Sequence, residues 1–257
     1  TAPRALPERV DHAPLDALLE RIRRETSAPA WPWVGEGVAR VTDWQDVDYG
    51  HEYLDRVRPF AESDAAAGDA AATLTVAAAR WIAVAMAYDD VIRVADLKTR
   101  ATREERVRSE VGAQANEVLG LEEFFHPRLE EVLGLLPERW ANRIESSAWL
   151  SQSLERRLSH GRRIQTHTIS GFFQLRVTAG LRRWRRSSRR HAAEVAHLEQ
   201  WLSEARRAMT AGERDLAAEI LHCRRLVKGY SDTHARGQRR FDRLMHAARR
   251  LAGQPDA

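Results

Sequence analysis

Glutamate and histidine recur with a spacing that suits metal binding, in the pairs Glu123–His126, Glu194–His197 and Glu219–His222. The pattern Glu-x-x-His places a carboxylate and an imidazole on one face of a helix, as in di-iron bundles. The second and third pairs begin only 25 positions apart, closer than the paired motifs of such bundles, and Pro127 disfavours a helix through His126. The leading prediction is no metal site. A metal-binding helical bundle remains an alternative, with the ligands Glu194, His197, Glu219 and His222.

The segment AYDDVIRVADLK (residues 87–98) combines acids, an arginine and a lysine on an amphipathic pattern. On a helix, Asp89, Arg93 and Asp96 lie three or four positions apart, so they can pair along one edge. Two interpretations stay open. The segment is either an ordinary helix with surface ion pairs or a polar rim that contacts a partner domain or an anionic ligand.

The segment LVKGYSDTHARG (residues 226–237) has the composition of a turn between two helices. Lys228 suits the carbonyl end of a helix, and Gly229 suits its C-cap. Ser231 or Asp232 can cap the next helix. Capping leaves three crowded side chains without an explanation, namely Tyr230, His234 and Arg236. This turn therefore has an alternative role in anion binding or subunit docking.

The chain has 41 basic residues, and only Lys98 and Lys228 among them are lysines. These two lysines fall inside the two segments just described. If a codon bias has replaced dispensable lysines by arginine, the remaining two mark positions that need an ammonium group. We therefore predict a shared polar docking surface formed by Asp90, Arg93, Lys98, Lys228, Tyr230, Asp232, His234 and Arg236.

Other chemistry has weaker support in the sequence. The cluster LRRWRRSSRR (residues 181–190) suits nucleic acid, but 41 basic residues against 37 acids give a net charge of only +4. An arginine-driven nucleic-acid binder is therefore only an alternative. The single cysteine, Cys223, lies on an apolar stripe and excludes an internal disulfide and a cysteine-ligated iron–sulfur cluster. No nucleophile elbow, P-loop or dinucleotide-binding motif is present, so we assign no catalytic and no cofactor-binding residue.

The elements that would position these residues are predicted to be helices. Apolar residues recur at helical spacing, most clearly from Trp81 to Ala95, and helices over residues 69–97 and 188–250 are the best supported. Residues 162–173 are rich in β-branched and aromatic types, which suits one short strand or an irregular lead into a helix. The predicted fold is an all-α multi-helix bundle with at most one small β element.

Proline positions set the predicted domain organisation. Five prolines fall within the first 32 residues, so residues 1–35 are predicted to be a lead-in around one short helix. Residues 36–252 form the helical domain, and residues 253–257 form a tail. No apolar run is long enough to cross a bilayer, and no secretory signal is visible. We therefore expect a cytoplasmic protein.

Four segments, at residues 42–57, 79–112, 171–202 and 226–237, resemble the C-terminal helical region of bacterial indolepyruvate ferredoxin oxidoreductase beta-subunit-like proteins. These are proteins of the 2-oxoacid:ferredoxin oxidoreductase type, and the segments occur in the same order. In that family the region follows a gamma-type domain. The resemblance implies an assembly that oxidatively decarboxylates aryl pyruvates, such as indolepyruvate, to the acyl-CoA. Electrons would pass through thiamine diphosphate and iron–sulfur clusters in a companion subunit to ferredoxin.

The chain departs from a complete enzyme of this kind. It has neither a thiamine diphosphate motif nor ferredoxin-type cysteines, and it does not contain the gamma-type domain. The resemblance therefore implies an accessory or docking domain that binds no cofactor itself and does not catalyse alone. The expected partners are the other domain and subunits of the complex, with ferredoxin contacted indirectly. No membrane partner is expected.

Overall fold

The structure is a computed structural model that describes residues 3–114, 117, 120–125, 128–158, 162–229 and 232–251. Thirteen α-helices lie in these residues: α1 Ala13–Glu25, α2 Trp31–Trp44, α3 Val47–Ala67, α4 Thr73–Met86, α5 Val91–Lys98, α6 Ala101–Val111, α7 Leu129–Gly134, α8 Glu138–Glu145, α9 Ala148–Leu158, α10 Ile169–Gly180, α11 Arg189–Thr210, α12 Arg214–His222 and α13 Asp232–Leu251. Short 3₁₀ turns cover Ala28–Ala30, Leu181–Ser187 and Cys223–Leu226. Strands β1 (Glu122–Phe125) and β2 (Arg162–Gln165) pair in antiparallel fashion, with Glu122 opposite Gln165. The predicted all-α bundle with one small β element is confirmed.

The chain divides into two compact units. The first unit comprises residues 1–88 and 194–257, and the second unit comprises residues 89–193. The boundary predicted after residue 35 falls inside α2. Leu18, Ile22 and Val34 from the predicted lead-in are fully buried in the core of the first unit, because the apolar stripes of α1 and α2 pack inward. The predicted tail, residues 253–257, lies outside the described residues.

Close helix packing holds the first unit together. A Cβ on Gly37 of α2 would lie 2.1 Å from the hydroxyl oxygen of Tyr53 on α3. That hydroxyl donates a hydrogen bond to the carbonyl of Ala79 on α4 at 2.9 Å, and complete burial raises the pKa of Tyr53. Only glycine therefore allows α2, α3 and α4 to meet at this point, since any side chain would displace the tyrosine.

A second polar contact ties α3 to α4 and α12. The buried carboxylate of Asp64 accepts hydrogen bonds from the backbone and hydroxyl of Thr75, and one from Arg214 at 2.6 Å. A buried carboxylate is tolerated when it is fully hydrogen-bonded. Asp64 therefore stabilises the meeting point of these three helices.

The helix predicted to run from Trp81 to Ala95 is interrupted, and this part of the prediction was wrong. Helix α4 ends at Met86, and α5 begins at Val91. The carbonyls exposed at the end of α4 accept side-chain hydrogen bonds: Tyr49 Oη donates to Met86 O at 3.1 Å, and Trp44 Nε1 donates to Tyr88 O at 2.8 Å. These long-range bonds satisfy the groups that a continuous helix would have used.

The second unit buries little of its apolar surface. It contains α5–α10 and the β1–β2 pair, and its own buried cluster consists of Ala95, Leu175 and Ala179, where α10 packs on α5. Among the described residues, it holds seven of the 43 buried apolar residues but nine of the 13 large apolar side chains that are exposed. A unit with so small a core gains little stability from its own packing.

Candidate functional site

Asp90 begins α5 in the second unit. It caps the helix by accepting a hydrogen bond from the backbone N–H of Arg93 at 2.6 Å, and it is only 4% exposed. The guanidinium of Arg185 donates to both carboxylate oxygens, from Nε at 2.8 Å and from Nη2 at 3.2 Å. Arg185 is itself 2% exposed. This bidentate pair joins α5 to the 3₁₀ turn that follows α10.

The burial of this pair corrects the prediction made for Asp90. Asp90 was expected on a polar surface, but its carboxylate is enclosed, because a buried arginine 95 positions away compensates its charge. Arg185 belongs to the arginine-rich cluster considered for nucleic acid, and its buried guanidinium is turned to a carboxylate instead. Both residues therefore have a structural role in holding the 3₁₀ turn in place.

The remaining polar residues of the first predicted segment lie along α5. Arg93 pairs with Asp96 at 3.2 Å, and Arg100 also contacts Asp96. Lys98 is half-buried in the last turn of α5, where a cation is favoured by the exposed carbonyls. The predicted pairing of Arg93 with Asp96 is confirmed, and these ion pairs are partly exposed, so each stabilises the helix only weakly.

The second predicted segment belongs to the first unit. Lys228 precedes Gly229, whose φ of 76° lies in the left-handed region that favours glycine. Asp232 is the first residue of α13, and Arg236 is exposed and donates to the carbonyl of Asp232 at 3.3 Å. Tyr230 lies outside the described residues. Lys98 thus lies in the second unit and Lys228 in the first, and the predicted surface shared by Lys98 and Lys228 stays a prediction.

His234 was also expected on that surface, but it is buried within a polar network. Its Nε2 lies 3.4 Å from the carboxylate of Glu194, which lies 3.8 Å from the guanidinium of Arg224. Arg224 donates to Nδ1 of His197 at 3.0 Å, and Nε2 of His197 lies 2.9 Å from Asp242. Since arginine can only donate, Nδ1 of His197 is the acceptor, and its Nε2–H donates to Asp242. The network joins α11, α13 and the 3₁₀ turn after α12.

The electrostatics of the network are those of a structural cluster. Burial lowers the pKa of Arg224, although the charges of Glu194 and Asp242 oppose this effect. An arginine stays protonated even so. Contact with Glu194 explains the presence of His234 in this segment, which helix capping did not. Sequence analysis could not find this contact, because Glu194 is 40 positions away in the chain.

The four candidate metal ligands are not brought together. Among the residues that the structure describes, no group of three or more His, Cys, Asp or Glu side chains could hold a metal ion. His222 accepts a hydrogen bond from the indole of Trp81 at 2.9 Å, whereas Glu194 and His197 belong to the network with Arg224. The side chain of Glu123 and all of His126 lie outside the described part.

A groove of 580 Å³ between α2 and α4 was not anticipated from the sequence. The guanidinium of Arg80 lies 4.8 Å from the ring centroid of Trp81 and 5.6 Å from that of Trp33, at distances typical of cation–π contacts. The floor consists of small residues, and every charged lining residue is exposed. We assign no catalytic residue to this groove.

The exposed apolar residues of the second unit are the feature that sequence reasoning missed. On α10, Ile169 is 91% exposed, Phe173 66%, Val177 53% and Phe172 44%. Elsewhere in the unit, Trp149 is 72% exposed. The spacing of the α10 residues resembles that of an ordinary buried stripe, so periodicity alone could not separate a core face from an outer one. Large exposed apolar patches mark interaction sites.

Residues 31–247 match the model of DUF6537, a family of unknown function. The chain belongs to the DUF6537 family. Searches of curated proteins and of solved structures found no match. Within the described residues, the helices include none that is long and apolar enough to span a membrane.

Proposed function

We propose that this DUF6537 chain is a helical accessory domain that docks onto the other parts of an indolepyruvate, or more generally aryl 2-oxoacid, ferredoxin oxidoreductase. The observation that carries the docking role is the apolar surface of the second unit, with nine large exposed side chains around a small core. Such a unit is expected to complete its packing against a partner. The choice of complex rests on the four segments that resemble the beta-subunit-like proteins, and the family match spans the same stretch.

The chain's own residues do not fit the cofactors of such an enzyme. An iron–sulfur cluster needs several thiolates, whereas the chain has only Cys223. Burial raises the pKa of this half-buried thiol, although the charge of Arg225 opposes this effect. We therefore place thiamine diphosphate and the clusters in the companion subunit, with ferredoxin contacted indirectly and a cytoplasmic location. This chain would contribute stability to the complex or shape access to its active centre.

Co-expression with the catalytic subunit of an aryl 2-oxoacid:ferredoxin oxidoreductase from the same genome tests the proposal. We expect the two proteins to co-elute in size-exclusion chromatography, and we expect the purified chain alone not to oxidise indolepyruvate. Replacing exposed apolar residues of the second unit, as in Trp149→Ser with Phe173→Ser, should weaken co-elution. The control, Leu216→Ser with Leu244→Ser, alters two large apolar residues of the first unit that are also exposed, by 41% and 45%.

Two results would refute the proposal. One is turnover of indolepyruvate by the chain without other subunits. The other is separate elution of the two proteins when both are folded, which circular dichroism of each peak would establish.

A further inference from the structure

The modest net charge of the chain hides a strong segregation of charge. Residues 156–193 contain eleven arginines and no aspartate or glutamate, so this stretch carries a formal charge of +11, while the remainder of the chain carries −7. The stretch lies wholly in the second unit. A codon bias toward arginine would account for arginine in place of lysine, but it would not account for the absence of acids over 38 consecutive residues.

Two of these arginines pair with acids of the second unit. Arg185 pairs with Asp90, and Arg189 with Glu145 at 2.8 Å. Arg176 and Arg183 are exposed, and the guanidinium of Arg183 lies 5.0 Å from the ring centroid of Trp184. A positive surface therefore adjoins the C-terminal half of α10.

The same helix presents the apolar stripe formed by Ile169, Phe172, Phe173 and Val177. The opposite face of α10 is buried, with Leu175 and Ala179 packed on α5. Ile169, Phe173 and Val177 follow the spacing i, i+4, i+8 and form one ridge along the helix, with Phe172 beside Ile169. A ridge of this kind fits the groove between side-chain rows of another helix.

Both ends of α10 are tied to neighbouring elements. Thr168 caps it by accepting a hydrogen bond from the N–H of Gly171 at 3.1 Å. A Cβ on Gly171 would lie 2.1 Å from the carbonyl oxygen of Gln165, the last residue of β2. At the other end, the buried Asp90–Arg185 pair fixes the 3₁₀ turn. A preorganised surface loses little entropy on binding.

We infer that the α10 surface, defined as Ile169, Phe172, Phe173, Arg176, Val177 and Arg183, docks an acidic amphipathic helix of a partner protein. The partner's apolar residues pack on the α10 stripe, and its carboxylates pair with the arginines. Charge complementarity selects an acidic partner, because the stretch has no acids of its own to offer a basic one. This inference rests on the proposed function, since it specifies the chemistry of the partner.

The arrangement of the surface favours a protein over other polyanions. Two of the four stripe residues, Ile169 and Val177, have no ring to stack on bases, whereas Phe172 and Phe173 do, so single-stranded nucleic acid is a necessary comparison probe. A helix that lies on a bilayer has basic residues along its polar face, whereas α10 itself carries only Arg176 and the other arginines follow its C-terminal end. An apolar ridge beside a positive patch complements a protein helix that carries apolar residues on one face and acidic residues beside them.

The test uses the full chain and a fluorescent synthetic peptide of about six helical turns, with leucine on one face and glutamate on the others. Binding is measured by fluorescence anisotropy at several salt concentrations. Poly-L-glutamate of equal length, single-stranded and duplex DNA, and phosphatidylglycerol vesicles are the comparison probes. We expect the peptide to bind most tightly, with an affinity that falls as salt rises.

Two pairs of variants separate the apolar and charged contributions. Phe172→Ser with Phe173→Ser, and Arg176→Gln with Arg183→Gln, should each weaken peptide binding about tenfold, which corresponds to about 1.4 kcal/mol. The control Arg239→Gln with Arg243→Gln removes the same charge from exposed positions of α13 and should change the affinity less than about twofold. All these side chains are exposed, so the variants should keep the circular dichroism spectrum of the parent.

The inference is overturned if the peptide does not bind, if DNA or vesicles bind more tightly, or if poly-L-glutamate binds as well as the peptide. It is also overturned if the phenylalanine variant binds normally. Peptide binding without co-elution of the catalytic subunit would refute the proposed function alone. Co-elution without peptide binding would refute only this inference.

Discussion

Breaking the buried Asp90–Arg185 pair is the sharpest test of how the second unit is held together. The two side chains are 4% and 1% exposed, and removal of one member of such a pair leaves an uncompensated buried charge, at a cost of about 3–5 kcal/mol. Asn caps helices about as well as Asp, so Asp90→Asn keeps the hydrogen bond from Arg93 and isolates the loss of the pair. We expect it to destabilise the second unit by about 3 kcal/mol.

Two further variants complete the argument. Asp90→Ala also removes the helix cap and should cost about 1 kcal/mol more than Asp90→Asn. The double variant Asp90→Asn with Arg185→Met removes both charges of the pair, so its cost should fall below the sum of the single costs by about 2 kcal/mol. Asp96→Asn is the control, because its ion pairs are partly exposed and their loss should cost less than about 1 kcal/mol.

Urea unfolding followed by hydrogen exchange resolved at α5 and α10 is the suitable assay. The chain has two units, so a single global transition cannot be assumed, and exchange reports the second unit directly. The reasoning fails if Asp90→Asn is no more destabilising than Asp96→Asn. It also fails if the single costs add to within about 0.5 kcal/mol in the double variant.

Four further outcomes are expected. Arg224→Met should destabilise the first unit by about 3–5 kcal/mol in urea unfolding, because it removes the buried guanidinium that lies 3.8 Å from the Glu194 carboxylate. Gly171→Ala should lower the protection of α10 in hydrogen exchange, since the new methyl group would strike a backbone carbonyl. Burial would raise the pKa of Glu25, but hydrogen bonds from neighbouring arginines outweigh it and lower the pKa. Its contribution is therefore full above its unfolded value of about 4.5 and is lost as pH falls through the lowered pKa. In unfolding scans at a series of pH values, Glu25→Gln should reduce the loss of stability that occurs as pH falls through this range. Cys223, with its raised pKa, should react with iodoacetamide much more slowly in the native protein than in urea.

The candidate site was predicted only in part, and the reason is the distance between partners in the chain. Arg93 and Asp96 were correctly paired because they lie three positions apart on one helix. Asp90 and His234 were placed on a surface because their partners, Arg185 and Glu194, are 95 and 40 positions away. No local pattern indicates that a polar residue will meet a distant ion of opposite charge.

The outer face of α10 shows a second limit of prediction from the sequence. Ile169, Phe173 and Val177 have the spacing of a core stripe. This spacing alone does not indicate whether a stripe packs against another helix of the same chain or stays exposed. The absence of acids over residues 156–193 was, by contrast, visible in the sequence. A count of charges by segment rather than over the whole chain would have found this positive surface.

Apolar periodicity and proline placement by themselves determined that this chain is helical, because a 3.6-residue period and missing backbone donors act locally. The tertiary structure alone decided where the long helix after Trp81 breaks, which charges are buried, and which apolar stripe stays outside. Those outcomes depend on side chains that donate, pair or pack across tens of residues. These interactions form, and contribute to stability, only after folding has brought distant helices together.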